Sequence, residues 1–421
     1  MSDSLDTLSD ASQPRVLLLI ASTSYKATDF LAAAQRLRVG VTVGSDHEAT
    51  LAEVAPGSTL AVDFSDQAGS VRDIVELHRH RPLSGIVAAE DEGTVLAAAG
   101  AQALGLRQNP VEAVRLCRRK DLFRAKLANT GLSAPSFQAF PADTDPALVR
   151  DRVPYPCVVK PVALAASRGV IRADGPEAFE AAFRRVADIV TGATRLDDER
   201  RVVLVESYIP GVEVALEGLL VDGRLRTLAI LDKPDPLVGP YFEETLFVTP
   251  SRLPRPVQQE IQRLTGLVAK AIGLREGPVH AEMRVNDDGA WIIELAPRTI
   301  GGLCSRIFRY RAGVSLEELV LRHALGRELD ELDESLPPSG VMMIPIPGAG
   351  RLRGVEGIDD AEAVEGVEEI VMSLLPGQEV LPLPEGNRYL GFIFARGESA
   401  PEVERALRQS HALLDVQIDP N

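Results

Sequence analysis

Apolar and polar positions alternate along this chain in two rhythms, one helical and one of strands. Arg15 to Ala21 is a continuous apolar run and predicts a buried strand. Asp29 to Leu37 has helical spacing, Val39 to Val43 predicts a second strand, and Val71 to His80 a helix. Gly85 to Ala89 predicts a third strand, before an Ala-rich helix from Thr94 to Leu104. Strands alternating with helices predict an open parallel α/β sheet, whose ligand crevice lies beyond the strand C-termini. No Gly-x-Gly-x-x-Gly follows the first strand, which argues against a dinucleotide site.

The middle of the chain changes character. Asn109-Pro110 opens a helix carrying Arg118, Arg119, Lys120 and Arg124. Cys157 to Lys160 is a short strand flanked by prolines and ending in a lysine. The small-residue loop from Ala165 to Val170 follows, then a helix from Glu177 to Ile189 and a strand from Val202 to Glu206. Val214–Val221 and Leu225–Leu231 read as a hairpin across Asp222-Gly223, and the proline-rich stretch Asp232–Pro250, with Glu243 and Glu244, as an irregular loop over a site. Pro256 to Ile272 predicts a helix. After Leu336-Pro337-Pro338-Ser339, the expected linker, strands at Val341–Ile344, Val367–Leu374 and Tyr389–Ala395 and a helix at Pro401–Leu414 predict a small α+β domain.

One hairpin, from His280 to Ala296, organises the rest. Asp287-Asp288-Gly289 suits a type I turn with Gly289 left-handed, which pairs Asn286 with Ala290, Arg284 with Ile292, Glu282 with Glu294 and His280 with Ala296. Strand alternation then puts Ala281, Met283, Val285, Trp291, Ile293 and Leu295 on one apolar face, and His280, Glu282, Arg284 and Glu294 on the other. Two carboxylates directly opposite each other repel. A divalent cation would offset that, and Mg²⁺ takes hard oxygen ligands from one or two carboxylates and substrate phosphates. Arg298 adds a planar fork for phosphate or carboxylate, and Gly301-Gly302 lets backbone approach a ligand closely.

Plainer readings stand beside these. The hairpin acids could be solvated, and Ser167 to Gly169 could form an ordinary turn rather than a phosphate cradle. Arg306, Arg309 and Arg311 suit a substrate carboxylate or a helix surface equally. Glu243 and Glu244 could receive a substrate ammonium or simply be solvated. His280 faces the acids, where a structural hydrogen bond is favoured over catalysis.

With 421 residues the chain is long enough for two or three domains. Its net charge of −16 argues against nucleic acid and anionic membrane as partners. No apolar run is long enough to span a bilayer and no secretory pattern is visible, so a cytoplasmic location is expected. Cys117, Cys157 and Cys304 lack metal spacing and fit buried thiols in a reducing compartment.

Taken together, these residues resemble the ATP-grasp superfamily of carboxylate–amine ligases over nearly the whole chain. Ser22 to Asp29, Ser167-Arg168-Gly169 and the segment after Pro338 look most like the L-amino acid ligases. Met1 to Gln13 is polar and acidic and is expected to be a disordered tail, and the resemblance implies an N-terminal open parallel α/β domain at 14–110. It implies a central ATP-grasp domain of two α+β lobes sandwiching ATP at 111–336, and a small C-terminal α+β domain at 337–421. It implies that Lys120 and Lys160 hold ATP phosphates, that Ser167 to Gly169 covers them, and that Glu206, Tyr208 and Ile209 read adenine. It gives Glu213 to the ribose, Glu282 and Glu294 to one or two Mg²⁺ ions (Mn²⁺ being able to replace them), and Arg298, with Lys160, to the transferred phosphate. The residues themselves, apart from the resemblance, offer Glu243, Gly301, Gly302 and Arg306 as substrate-side candidates. Many members carry Asn where this chain has Ala296, which removes one metal ligand. The implied reaction joins a small carboxylate to an amine through an acyl phosphate, releasing ADP and phosphate; a homodimer is left open. Two alternatives stay open: an enzyme activating bicarbonate or formate, like the biotin carboxylase and purine-biosynthesis branches, and a nucleotide-binding protein without turnover.

Overall fold

A computed structural model of the chain describes residues 13–22, 24–46, 58–193, 199, 201–329 and 336–420; the tail expected at 1–13 lies outside them, Gln13 excepted. Four parallel strands open the fold: β1 (Arg15–Leu19), β2 (Gly40–Ser45), β3 (Thr59–Ala61) and β4 (Gly85–Ala88), in the spatial order β3-β2-β1-β4. Val16 to Leu19 are at most 1% exposed, which explains the unbroken apolar run: helices cover both faces of the sheet. The open parallel sheet is as expected, with β3 added.

A second sheet holds β5 (Phe137–Pro141), β6 (Cys157–Pro161), β7 (Ile171–Ala173) and β8 (Val202–Ser207), ordered β5-β8-β6-β7. The helix Pro176–Ala193 packs Phe179, Phe183 and Val186 beneath it. The third sheet has eight strands. In chain order the next elements are β9 (Val212–Val221), β10 (Arg224–Lys233), β11 (Leu246–Thr249), β12 (Gly277–Asn286), β13 (Gly289–Ala296), β14 (Ser339–Ile344), β15 (Gly350–Glu356), β16 (Val367–Met372), β17 (Glu379–Val380), β18 (Gly391–Arg396) and β19 (Asp415–Asp419). The large sheet runs β13-β12-β9-β10-β11-β14-β18-β16, and β17-β15-β19 form a small separate one. The two α+β lobes are thus the β5–β8 sheet and the large sheet.

Four local outcomes differ from the sequence reading. The expected single basic helix is two, Val111–Arg118 and Lys120–Leu127, broken at Arg119, and the Lys120 amide donates to Val162 O at 2.8 Å. The stretch read as an irregular loop contains β11, which pairs with β14 from Leu246↔Met342 to Thr249↔Ser339. One sheet therefore runs through the expected linker at 337. Long-range pairing of this kind leaves no local signature, because each strand alone is only a short apolar run.

The fourth difference lies in the organising hairpin. Glu282↔Glu294 and His280↔Ala296 pair as expected, but a bulge at Ile293 shifts the register toward the turn, giving Met283↔Ile292, Arg284↔Trp291 and Asn286↔Gly289. The extra residue lets Ile292 and Leu295 both face the core, while Ile293 turns to the cavity and Trp291 is only half-buried. The core face is Ala281, Met283, Ala290, Ile292 and Leu295, packed on Ile261, Leu264, Val268 and Ile272 of the helix Arg255–Ile272. Each of the larger side chains among them contributes about 1.5–3 kcal/mol by leaving water. This holds the polar face of the hairpin rigidly toward the other lobe.

Candidate active site

The polar face is built by strand alternation on three neighbouring strands. On β9 the residues Glu213, Ala215 and Glu217 point one way; on β12 Arg284, Glu282 and His280 stand opposite them, and on β10 Lys233 stands opposite Glu213. Opposite charges therefore meet across the ladder. Arg284 Nε lies 2.6 Å from Glu213 Oε2, and Lys233 Nζ lies 2.7 Å from Glu213 Oε1 and 3.0 Å from Glu282 Oε1, and also contacts Glu244. Lys233 is fully enclosed; burial alone would lower its pKa, but the three carboxylates raise it well above the ordinary value. Burial and the Glu282 charge push Glu244 up in turn. Oxygens of Glu213, Glu244 and Glu282 lie within 4.8 Å of one another, a spacing fit for a cation, and the Lys233 ammonium contacts all three.

Behind this row, Glu217 and His280 form a buried relay. Nδ1 of His280 contacts Glu217, Nε2 lies 3.2 Å from Glu282 Oε1, and the other Glu217 oxygen accepts the Ile300 amide at 3.1 Å. Burial pushes the His280 pKa down, but Glu217 and Glu282 outweigh it and raise it to about 9. The stabilisation is full below about pH 6.5, the ordinary imidazole value, and is lost as pH rises toward 9. Melting temperatures of the wild type and His280→Gln in EDTA should converge over that window. A difference that stays constant from pH 6.5 to 9 would contradict the pairing.

The other lobe supplies a second set of charges. Glu206, at the end of β8, is buried between Lys160 Nζ at 2.6 Å and Arg124 Nε at 2.7 Å, and Arg124 Nη2 also donates to Ile293 O at 2.6 Å. Burial opposes ionisation of Glu206, yet the Arg124 and Lys160 charges hold its pKa below the usual range. Lys120, aimed by the break at Arg119, reaches Leu164 O at 3.0 Å and Glu294 at 3.3 Å. Arg118 lies 3.3 Å from Glu199. Tyr208 to Gly211 joins β8 to β9 and so links the lobes. Gly211 has φ +118° and an added Cβ would lie 2.1 Å from Val285 O, so only glycine lets the link pass the hairpin end. The Tyr208 ring lies under Arg172 at 4.1 Å.

A cavity of about 730 Å³ opens between these surfaces and the C-terminal ends of β1 and β4. It brings together Lys120, Lys160, Ser167, Glu206, Tyr208, Ile209, Glu213, Glu282, Glu294, Arg298, Gly301 and Gly302, nearly the whole set expected from sequence. Ala166 and Ser167 have left-handed backbone, φ +54° each. Gly169 supports this loop rather than lining the cavity: at φ +72° its added Cβ would be 2.8 Å from the Pro161 ring.

Three expectations need correction. Glu243 lines a small side cleft, whereas its neighbour Glu244 faces the main cavity. Arg306 is outside the cavity, held by Asp29 at 2.8 Å and Glu369 at 3.2 Å, where it ties the N-terminal helix to the edge strand β16. Arg309 joins the same Glu369 at 3.0 Å, and the Arg311 side chain lies outside the described set. The opposed acids do not stand as a bare like-charge pair, because Lys233 and His280 meet Glu282 and Lys120 meets Glu294.

Sequence reasoning missed Lys233 and Glu217, whose signal was the alternation Glu213-x-Ala215-x-Glu217. It also missed two contributions from the segments that follow β4 and β1. Asp91 pairs with Arg298 Nη2 at 2.8 Å; burial would raise its pKa, but that guanidinium holds it at about 2. Lys26, fully buried, donates to Ile300 O at 2.6 Å, Thr299 Oγ1 at 3.2 Å and Ala89 O at 3.3 Å, clasping the turn after Arg298.

Carboxylates and lysines from two lobes face one cavity, an arrangement suited to a phosphate-bearing substrate, and comparison with known proteins gives the class. Residues 153–307 match the ATP-grasp domain, 31–107 the ATP-grasp N-terminal domain and 342–419 the L-amino acid ligase C-terminal domain 2. The crystal structure of L-amino acid ligase from Bacillus licheniformis is 25% identical and superposes with a TM-score of 0.83, over 97% of this chain and 99% of that one. Alanine–anticapsin ligase of Bacillus subtilis (strain 168) is 24% identical over 349 residues, 75% of this chain and 73% of that protein. Carboxyaminoimidazole ribonucleotide synthase from Aspergillus clavatus, solved with ATP, shares the fold at a TM-score of 0.73 and 15% identity, over 96% of this chain and 99% of that one. The chain belongs to the ATP-grasp superfamily. Within it, the chain is an ATP-dependent carboxylate–amine ligase with the domain set of the L-amino acid ligases. Among the described residues no helix is long and apolar enough to cross a membrane.

Proposed function

We propose that this ligase joins the carboxylate of one small amino acid to the amine of a second amino-acid-like substrate, through an acyl phosphate. The observation that carries the reading is the meeting of Arg298, Glu282 and Glu294 with Lys120 and Lys160 in one cavity whose far wall is the N-terminal sheet. In the first step a carboxylate oxygen attacks the γ-phosphorus of ATP; the new O–P bond forms as the bond to the β-phosphate oxygen breaks and ADP leaves. In the second, the amine nitrogen attacks the acyl carbon, phosphate leaves with the electron pair, and the amine proton passes to solvent or to the departing phosphate.

Lys120, Lys160 and Arg298 would neutralise phosphoryl charge, and preorganised charge of this kind is the largest catalytic term in such transfers. The Ser167 loop would cover the phosphates, with Glu206, Tyr208 and Ile209 at the base and Glu213 at the ribose. Mg²⁺ fits the hard, opposed oxygens of Glu282 and Glu294, both of which already hold cationic partners; when bound it would supply charge neutralisation at the phosphates. Ala296 offers no ligand atom, which favours a sparser protein ligand set. The amino-acid substrate class is supported by the L-amino acid ligase and alanine–anticapsin ligase relatives.

Activation of bicarbonate or formate is not favoured, since the C-terminal segment matches the L-amino acid ligase domain. The test is a panel of the twenty amino acids with ATP and Mg²⁺. ADP and phosphate should appear, and added hydroxylamine should trap the hydroxamate of the activated acid. AMP with pyrophosphate, or turnover that requires bicarbonate, would overturn the reading.

A further inference from the structure

An amino acid that enters as the amine partner carries its own carboxylate, and a carboxylate taken from bulk water into the cavity is favoured by a cation beside it. Most cations lining this cavity are committed. As described above, His280 and the lysines and arginines of both lobes face carboxylates, while Lys26 holds three neutral oxygens. Among the described residues two lining guanidiniums, Arg168 and Arg388, have no ion pair. Arg168 belongs to the loop beside Lys120 and Lys160, on the phosphate side. Arg388 comes from the other direction, on the loop between β17 and β18.

That loop is held in place at several points. Pro384 O accepts the Gly169 amide at 2.9 Å, and both Glu385 oxygens take Arg185, at 2.6 and 2.9 Å. Tyr389 packs edge-on against Phe392, ring centroids 6.2 Å apart. Arg388 sits between these anchors, its side chain exposed at the cavity mouth. Glu243 shares the small side cleft with it, and no ion pair joins the two. The segment covering the phosphates and the segment carrying Arg388 are therefore docked on each other.

Resting on the ligase reading above, we propose that Arg388 binds the carboxylate of the amine-bearing substrate and so selects amino acids over simple amines as acceptors. A guanidinium offers two parallel donors to a carboxylate, which also orients the amine of the same molecule toward the acyl phosphate. Arg388 is a specificity residue in this account: it touches the acceptor and not the transferred phosphate.

The test uses the full chain, the donor that gives most hydroxamate in the panel above, and paired acceptors: L-alanine against L-alaninamide, and L-phenylalanine against its amide. For Arg388→Gln, KM for the acids should rise about 10- to 100-fold, the size of one charged hydrogen-bond pair. KM for the amides and the rate of hydroxamate formation should not change, and Arg388→Lys should recover part of the loss. An unchanged KM for the acids, an equal rise for acids and amides, or a wild type that uses the amides as readily as the acids would each overturn the assignment. So would a wild type that makes hydroxamate but couples none of the twenty amino acids. A wild type that makes no hydroxamate with any of them would instead sink the ligase reading itself.

Discussion

Glu294→Gln is expected to lower turnover by about 100-fold or more while leaving the protein nearly as stable as before. Glutamine keeps the volume and the strand but deletes one of the two carboxylates that stand opposite each other on the hairpin. If that carboxylate serves phosphoryl transfer, its loss removes an electrostatic contact of the kind worth about 10²–10³ in rate. Stability should barely move, for a reason the structure supplies. Repulsion from Glu282 would make the substitution favourable, but Lys120 lies 3.3 Å from Glu294 and cancels much of it. The Glu294 side chain keeps 23% of its exposure, so that ion pair is itself worth no more than about 1 kcal/mol. Thermal melts in EDTA beside turnover in saturating Mg²⁺ separate the outcomes. A stable variant with near-normal turnover would remove Glu294 from the mechanism, and a large fall in stability would make it a structural ion pair.

Lys233→Met is expected to do the opposite, weakening the fold first. Its ammonium, 2% exposed, touches Glu213, Glu244 and Glu282. Methionine fills similar space and leaves three carboxylates close together, with Arg284 on Glu213 and His280 on Glu282 as their remaining ion pairs among the described residues. Breaking a buried ion cluster by removing one partner costs about 3–5 kcal/mol, because the remaining charge is uncompensated. A divalent cation should give part of this back: the three acids lie within 4.8 Å of one another, and hard oxygen ligands suit Mg²⁺ or Ca²⁺. The variant should therefore melt well below the wild type in EDTA and gain more from added Mg²⁺ than the wild type does. A variant that melts with the wild type would show that Lys233 is not the counter-ion of this cluster.

The two substitutions show which parts of the site could be read from the chain. Glu294 was visible because a hairpin is local: seventeen residues hold both strands, the turn and the charged face, so alternation alone set Glu282 opposite it. Even there the bulge at Ile293 escaped, since one inserted residue changes which side chains face the core without changing the composition of either strand. Lys233 was invisible because nothing local marks it. It ends a strand that continues into a stretch read as a loop, and its meaning lies in lateral pairing with Glu213 on β9, itself placed against Arg284 from seventy residues farther along. Arg306 failed for the same reason in reverse. Its basic neighbourhood suggested a substrate, but the fold brings Asp29 and Glu369 to it.

The sequence by itself determined the periodicities and hence the kinds of element: the apolar runs of a covered parallel sheet, the amphipathic helices, and the hairpin with one core face and one charged face. It also carried the motif residues, because Lys120, Lys160, Glu206, Glu282, Glu294 and Arg298 sit at element ends, or on an alternating strand, where local pattern aims them. Only the tertiary structure decided the charge pairing, the sheet that runs from β13 through β10 to β16, and the share of the cavity supplied by Lys26, Asp91 and Arg388. The physical reason is that side-chain direction follows from backbone geometry over a few residues. Neutralisation of a buried charge depends instead on whichever distant strand or loop the core packing brings beside it.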